Sequence, residues 1–358
     1  MKRQPTIEDV ARKASLSIST VSLVLNNKPN VSDETRRKVQ QAIQELGYHP
    51  HRGARGLASN ISGNIGFILS DDHFIQGEPF YTRIFLGTEF EARNHNYYIL
   101  LTTVSKQFRK KVSIPRFLFE RNVDGIIISG KIDDQYVEYI NSIGLPIVLV
   151  DYSLPRNRFS SVLIDNLRGS HAAVSHLIKR GHREIAFIGG DIQHPSITER
   201  LEGYKDTLQE HGIALNQSFV SVDEHDTRMD NGYRAIQKIL LKRKRPTAVF
   251  AANDSMAIGC MRYLKEVGIK IPGDIAVIGF DDIDMSSLVD PQLSTIRVFK
   301  EKMGTLALQR LVEMIKSKTE TVATIHVPVE LIIRESTGGN GKIQRSESSD
   351  HIVESDVA

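Results

Sequence analysis

Residues 6–26 read TIEDVARKASLSISTVSLVLN, and the rest of the chain is organised around them. Thr6 can cap a first helix, its hydroxyl accepting from an otherwise unpaired amide of the opening turn. Glu8 and Asp9 follow in that turn, where carboxylates suit the positive end of the helix dipole. Ile7, Val10, Ala11 and Ala14 recur at steps of three and four, giving one narrow apolar stripe. Ser15-Leu16-Ser17 breaks the stripe after two turns, and Ser17 can cap a second short helix. In that helix Val21, Val24 and Leu25 face inward, while Ile18, Ser19, Ser22, Leu23 and Asn26 face outward. With Thr6, Ser17 and Thr20 beside them, these outward residues form the candidate DNA-reading set. Two short helices around a tight turn suit insertion into a major groove. The competing reading is a helical hairpin with no ligand.

The charge distribution decides between the two. Residues 1–61 carry ten Lys/Arg and five Asp/Glu, a balance of +5, whereas the remainder carries 36 basic and 38 acidic residues. A small basic head on a near-neutral body is the electrostatic footprint of a nucleic-acid reader. A chain of 358 residues is long enough for two or three domains with full cores. Its single cysteine, Cys260, excludes an internal disulfide framework and fits a reducing cytoplasm. The opening MKRQPTIEDV lacks the apolar run of a secretory signal. No uninterrupted apolar stretch approaches the ~20 residues needed to span a bilayer.

After the second helix, NNKPNVS permits no regular element. Ser32 then caps a third helix whose inner face is Val39, Ala42, Ile43 and Leu46, and Gly47 stops it. HRGARGLAS (51–59) is a short, weak helix, because Gly53 and Gly56 each cost ~1 kcal/mol relative to alanine. Free, it is expected to be a flexible linker; on DNA it can fold, bringing Arg52 and Arg55 to phosphates and Leu57 to the minor groove as an apolar wedge.

TIEDVARKASLSISTVSLVLN, VSDETRRKV, ELGYHP and ARGLAS together resemble the head and hinge of the lactose/galactose-repressor family of bacterial transcription regulators. By that resemblance the second helix reads base edges, and paired hinge helices of a dimer insert a leucine, here Leu57, into a central base step. Three positions depart from the family pattern. The base-reading positions fall on Ile18, Ser19 and Leu23, and a leucine can pack on a thymine methyl but cannot make a bidentate contact to guanine. His51 stands where many members have Asn or Ser, and Ala58 stands where some have a minor-groove lysine.

From Asn64 short apolar runs alternate with amphipathic helical stretches. The runs are 65–70, 97–102, 124–129, 146–151, 161–165, 184–190, 248–254 and 274–282. Unbroken β-branched runs imply strands buried on both faces, and their alternation with helices implies parallel βαβ sheets. Helices are expected at about 81–95, 167–180, 197–211, 228–243, 254–267 and 299–317. The fold class is therefore α/β: a three-helix head and hinge, then a body of parallel sheets wound in βαβ units, which the family resemblance implies is divided into two parallel-sheet subdomains. Ligands of such sheets bind beyond the carboxyl ends of the strands. That rule marks Ser70/Asp71, Ser129, Asp151, Asp165, Asn253/Asp254 and Asp281/Asp282, small polar or acidic residues at the ends of apolar runs.

RLEGYKDTL, AANDSMAIG, IPGDIAVIGFDD and VELIIREST extend the resemblance along the body, which looks like the type-I periplasmic-binding-protein fold. The resemblance implies a head at 1–48, a hinge at 49–62 and an effector-binding, dimerising body at 63–338. It divides the body into an N-subdomain (63–162 and 294–324) and a C-subdomain (163–293 and 325–338). It points to Arg200 as the clamp on effector oxygens, with Asp281 and Asn253 near it and Ser70 and Asp151 opposite. DDHFIQGEPFY is longer than the family's usual loop, so Phe80 or Tyr81 can line the pocket. The tail, 339–358, is polar, has no heptad pattern and is expected to be disordered.

These features imply a dimeric repressor acting on a near-palindromic double-stranded operator under control of a sugar-like effector, with no membrane partner. No cofactor or metal is implied: His171 and His176, five apart, do not share a helical face. The rivals are an α/β enzyme with an appended head and a periplasmic solute-binding protein. The chain contains no G-x-x-x-x-G-K-S/T loop, no G-x-G-x-x-G after the first strand and no G-x-S-x-G elbow.

Overall fold

The computed structural model describes residues 5–25, 28–48, 61–71, 79–105, 114–154, 158–190, 192–318, 321–339 and 354–356. Asn26, Arg52, Arg55, Leu57 and the hinge expectation at 49–60 lie outside the described residues. The chain divides into two units, Met1–Gly63 and Asn64–Ala358.

In the first unit, Thr6 accepts from the Asp9 amide and the Asp9 carboxylate accepts from the Thr6 amide at 2.9 Å, so α1 (Ile7–Ala14) opens on a reciprocal cap. Ser15 ends it in the left-handed region, with φ 53°. Helix α2 (Ile18–Leu25) starts on Ser17, whose Oγ accepts from the Thr20 amide at 3.1 Å. Ser32 caps α3 (Asp33–Leu46), and Gly47 closes it at φ +61°. Val10, Ala11, Val21, Val24, Val39 and Ala42 bury their side chains together. Tyr48, placed by sequence at the head's edge, is buried in the same core. Few large side chains close this core, so each fully buried valine, worth roughly 1.5–3 kcal/mol, carries a sizeable share of its stability.

In the second unit the apolar runs become strands. β1 (Asn64–Ser70), β2 (Tyr98–Val104), β3 (Gly125–Ser129), β4 (Ile147–Val150) and β5 (Ser160–Ile164) pair in parallel. The Ile126-Ile127-Ile128 run of β3 is wholly buried, as a strand covered on both faces requires. Helices α4 (Pro79–Asn94), α5 (Arg116–Phe119) and α6 (Asp134–Asn141) link these strands. A second parallel sheet, ordered β7-β6-β8-β9, holds β6 (Ile185–Ile188), β7 (Val220–Ser221), β8 (Ala248–Ala251) and β9 (Ala276–Ile278). It is wound by α7 (Asn166–Lys179), α8 (Pro195–Glu210), α9 (Met229–Leu240) and α10 (Asp254–Glu266).

Chain crossings join the two lobes. β10 (Thr295–Val298) pairs antiparallel with β12 (Val329–Ile332), and bridges at Ile278–Ser294 and Asp281–Arg297 place it beside the end of β9. After β10 the chain returns as α11 (Lys300–Ser317) and β11 (Ala323–Val327), which pairs with β5 in the first sheet. The chain passes between the lobes after Ile164, after Val298 and after Val327. Four-residue crossing strands paired at sheet edges give no bounded apolar run from which to place them. Within the tail expected to be disordered, β13 (Glu354–Asp356) adds antiparallel to β11 at the edge of the first sheet. Among the described residues no helix is long and apolar enough to cross a membrane.

Candidate functional site

Two candidates emerge, one in each unit. On α2, Val21 and Val24 are buried while Ile18 and Leu23 are 48% and 42% exposed, so the expected reading face does point outward. Ser19 is exposed and Ser22 is half-buried. Ser17 Oγ lies 2.7 Å from Ser19 Oγ and 2.8 Å from Thr20 Oγ1, a hydroxyl cluster at the start of the helix. Helix N-termini present unpaired amides, so hydroxyls there are placed to meet phosphate oxygens. Thr6 is occupied in capping α1.

The second candidate lies where the carboxyl ends of the strands of the two lobes meet. Adjacent β1 and β3 end on Ser70 and Ser129, both fully buried, and neither hydroxyl has a hydrogen-bond partner among the described residues. β4 delivers Asp151, held at φ +67°. Its Oδ2 accepts from Tyr81 Oη at 2.8 Å and its Oδ1 accepts from Ser196 Oγ at 2.9 Å. Tyr81 comes from α4 and Ser196 from the first turn of α8, so this carboxylate ties one lobe to the other. His194 Nε2 stands 3.8 Å from the same carboxylate. Lys131 Nζ donates to the Gln193 carbonyl at 2.9 Å, a second tie between the lobes. Burial pushes the Asp151 carboxyl above its ordinary range, against the opposing pull of Arg200 and the two hydroxyl donors.

Arg200 is buried on α8, and its Nε and Nη1 are engaged. Its Nε donates to Asn166 Oδ1 at 2.8 Å, its Nη1 donates to the Ala252 carbonyl at 2.6 Å, and Nη1 stands 3.3 Å from Asp281 Oδ1. The guanidinium also lies over the Phe280 ring, 3.7 Å from its centre. Asp281 sits at φ +109°, and its backbone carbonyl accepts from Lys300 Nζ. Burial pushes its carboxyl up to about 6, although Arg200 and Lys300 pull the other way. Buried Asp254 is pushed up to about 7, first by burial and then by the neighbouring Asp281 charge.

The residues marked from sequence divide by role. Ser70, Ser129, Asp151 and Tyr81 gather at the first lobe's strand ends, and Arg200 and Asp281 at the second's. Asn253 is a helix cap: its Oδ1 accepts from the Met256 amide at 2.8 Å and its Nδ2 donates to the Thr227 carbonyl at 3.1 Å. Phe80 packs edge-on against Tyr81, their ring centres 5.0 Å apart. Sequence reasoning missed Ser196, His194, Asn166 and Phe280. Only Phe280, next to the strand-end aspartate pair, carried a usable signal. Among the described residues no group of His, Cys, Asp and Glu could hold a metal ion.

Residues 6–51 match the family of bacterial regulatory proteins, lacI family, and residues 174–337 match the periplasmic binding protein-like domain. Catabolite control protein A of Priestia megaterium is 34% identical over 334 residues, covering 93% of this chain and 99% of that protein. The transcriptional repressor PurR of Edwardsiella ictaluri is 34% identical over 92% of this chain and 96% of its own. The ribose operon repressor of Haemophilus influenzae is 31% identical over 92% and 98%. Among solved structures, the lac repressor dimer bound to operator and the anti-inducer ONPF superposes with a TM-score of 0.80 at 29% identity, covering 94% of this chain and 99% of that one. The CelR–cellobiose complex gives a TM-score of 0.70 at 30% identity over 93% and 99%.

Proposed function

The chain belongs to the lacI family of bacterial regulatory proteins, and on that premise we propose how its two candidate sites work together. It is a DNA-binding transcriptional regulator rather than an enzyme, and its relatives are named as repressors. In the proposed mechanism two copies, working in the cytoplasm, present the outer faces of α2 to a near-palindromic operator. One head offers a small interface, so two are needed for useful affinity. A sugar-like effector binds among Ser70, Ser129, Tyr81, Asp151 and Asp281, with Arg200 holding Asp281 in place. Binding there resets the angle between the lobes and hence the spacing of the heads.

The observation that carries the effector reading is the pair of buried, unpartnered hydroxyls on Ser70 and Ser129 beside a carboxylate shared by both lobes. Hydroxyls and carboxylates converging at strand ends match the alternating donors and acceptors of a polyol.

A thermal-shift screen of sugars, sugar phosphates and purines tests the reading, because a ligand at 100 times its Kd adds ~2.7 kcal/mol of stability. Ser70→Ala/Ser129→Ala removes hydroxyls that bond nothing among the described residues, so its basal melting temperature should stay near that of the parent while the ligand's shift collapses. An undiminished shift in the variant, or no shift with any sugar, overturns the proposed site.

A further inference from the structure

Two turns some sixty residues apart meet at the amino-terminal ends of β6 and β8, the end of the second sheet opposite the effector cleft. One is KRGHRE (179–184), between α7 and β6, and the other is KRKR (242–245), between α9 and β8. The strands they lead into are paired from Ile185–Ala248 onward. The turns themselves are joined by the Thr247 amide donating to the Glu184 carbonyl at 2.7 Å and by His182 Nδ1 lying 3.1 Å from Thr247 Oγ1.

The two turns contribute seven Lys/Arg and a single acid, Glu184, which is paired with Lys244. Among the described residues Lys179, Arg183, Lys242, Arg243 and Arg245 are exposed and have no ion-pair partner. Asp274, on the turn before neighbouring β9, accepts from the Lys270 amide of its own turn. The positive field reaches inward as well. His182 is held below its ordinary range by burial and by Arg180, and His176 falls to about 4 for the same reasons.

We propose that this surface is a second, sequence-independent nucleic-acid contact that grips the phosphate backbone of a DNA duplex separately from the head. Guanidinium and ammonium groups held without partners are what a row of phosphates neutralises, with release of its counterions. Neither turn contains a Phe, Tyr or Trp on which unpaired bases could stack, and the one imidazole, His182, is engaged with Thr247, which favours a duplex over a single strand. The inference goes beyond the operator reading and does not depend on it, because it concerns the body alone.

The test uses the full chain and a random-sequence 30-base-pair duplex, with binding followed by fluorescence anisotropy across a salt series. Arg183→Gln/Arg243→Gln/Arg245→Gln removes three exposed cations from the patch. Lys205→Gln/Lys302→Gln/Lys316→Gln removes the same charge from exposed positions elsewhere on the body. With a slope of about −0.9 per phosphate contact, loss of three contacts should flatten log K against log [salt] by about 2.7, so the fall in affinity between 50 and 200 mM salt shrinks about forty-fold. The control variant should keep the parental slope. Equal slopes for parent and patch variant, or equal flattening in both variants, overturn the proposal. So does a patch that retains poly-aspartate but not the duplex, since that would assign it to an acidic protein.

Discussion

Asp151 and Ser196 meet across the two lobes, Oδ1 accepting from Oγ at 2.9 Å. The same carboxylate accepts from Tyr81 on its own lobe, so one buried aspartate fixes both the first turn of α4 and the lobe-to-lobe approach of α8. Ser196→Ala removes the only donor in this trio that comes from the second lobe. It should lower unfolding free energy in urea by about 0.5–1.5 kcal/mol, as should Tyr81→Phe. Because both act on one carboxylate, the double variant should depart from additivity by at least ~0.5 kcal/mol. Strict additivity would mean the two contacts are independent.

Arg200 gives a sharper test of what holds the second lobe's strand ends. Arg200→Met leaves Asp281 buried without its cation, and breaking such a pair from one side costs about 3–5 kcal/mol. Adding Asp281→Asn removes the uncompensated charge, so Arg200→Met/Asp281→Asn should recover a substantial part of the loss. A double variant as unstable as the sum of the singles would show that the arginine acts through packing on Phe280. Loss of effector binding in an Arg200 variant therefore reports on the fold as much as on contact.

Which parts of this site sequence could reveal follows from their period. Ser70, Ser129, Asp151 and Asp281 close apolar runs, and runs of three buried isoleucines or valines announce themselves. Ser196 does not: one serine in a helix's first turn looks like any other, and its meaning depends on Asp151, forty-five residues earlier and in the other lobe. Asn253 shows the reverse, a strand-end residue whose side chain is occupied in capping α10. The crossing strands β10 and β12 mix buried with half-buried residues without alternation over only four positions each, too few for a pattern to stand out. Helix α6, with its cap in Asp133 and its buried stripe in Tyr136, Val137 and Ile140, was not among the helices expected from sequence. In the head, by contrast, caps, stripe and stop residues were all local, and the three helices fall where their caps place them.

The approach of α4 to α11 rests on two glycines. A Cβ on Gly304 would lie 2.0 Å from the Ile84 carbonyl oxygen, and one on Gly87 would lie 2.0 Å from that of Glu301. Both obstacles are backbone, which cannot swing aside as a side chain can. Gly304→Ala should therefore destabilise the body by about 1–3 kcal/mol or more in chemical denaturation, despite alanine's better helix propensity. A neutral or stabilising result would mean the helices are free to separate.

Asp254 makes stability depend on pH. Its carboxylate accepts from Ser286 Oγ at 2.6 Å, Thr295 Oγ1 at 2.6 Å and the Ile283 amide at 2.9 Å, yet burial and Asp281 raise it to about 7. The folded chain thus keeps a proton that the unfolded chain, titrating near 4, has released. Folding stability from this group falls as pH rises from about 4 to about 7, by at most ~1.4 kcal/mol per pH unit. Asparagine has no proton to lose, so Asp254→Asn should gain on the parent across that window in paired urea titrations. A constant difference between the two proteins would contradict the assignment.

The central claim is that an outward α2 face reads DNA under the control of the cleft. The most direct measurement is selection of bound duplexes from a random-sequence library by the full chain, with and without the sugar found by thermal shift, repeated for Leu23→Arg. Two-fold-related half-sites should be enriched, their yield should change at least ten-fold with the sugar, and Leu23→Arg should shift half-site preference toward guanine, since a bidentate contact is worth about 1–3 kcal/mol of discrimination. No enrichment over the input library, or an enriched motif indifferent to both the sugar and Leu23→Arg, would contradict the account.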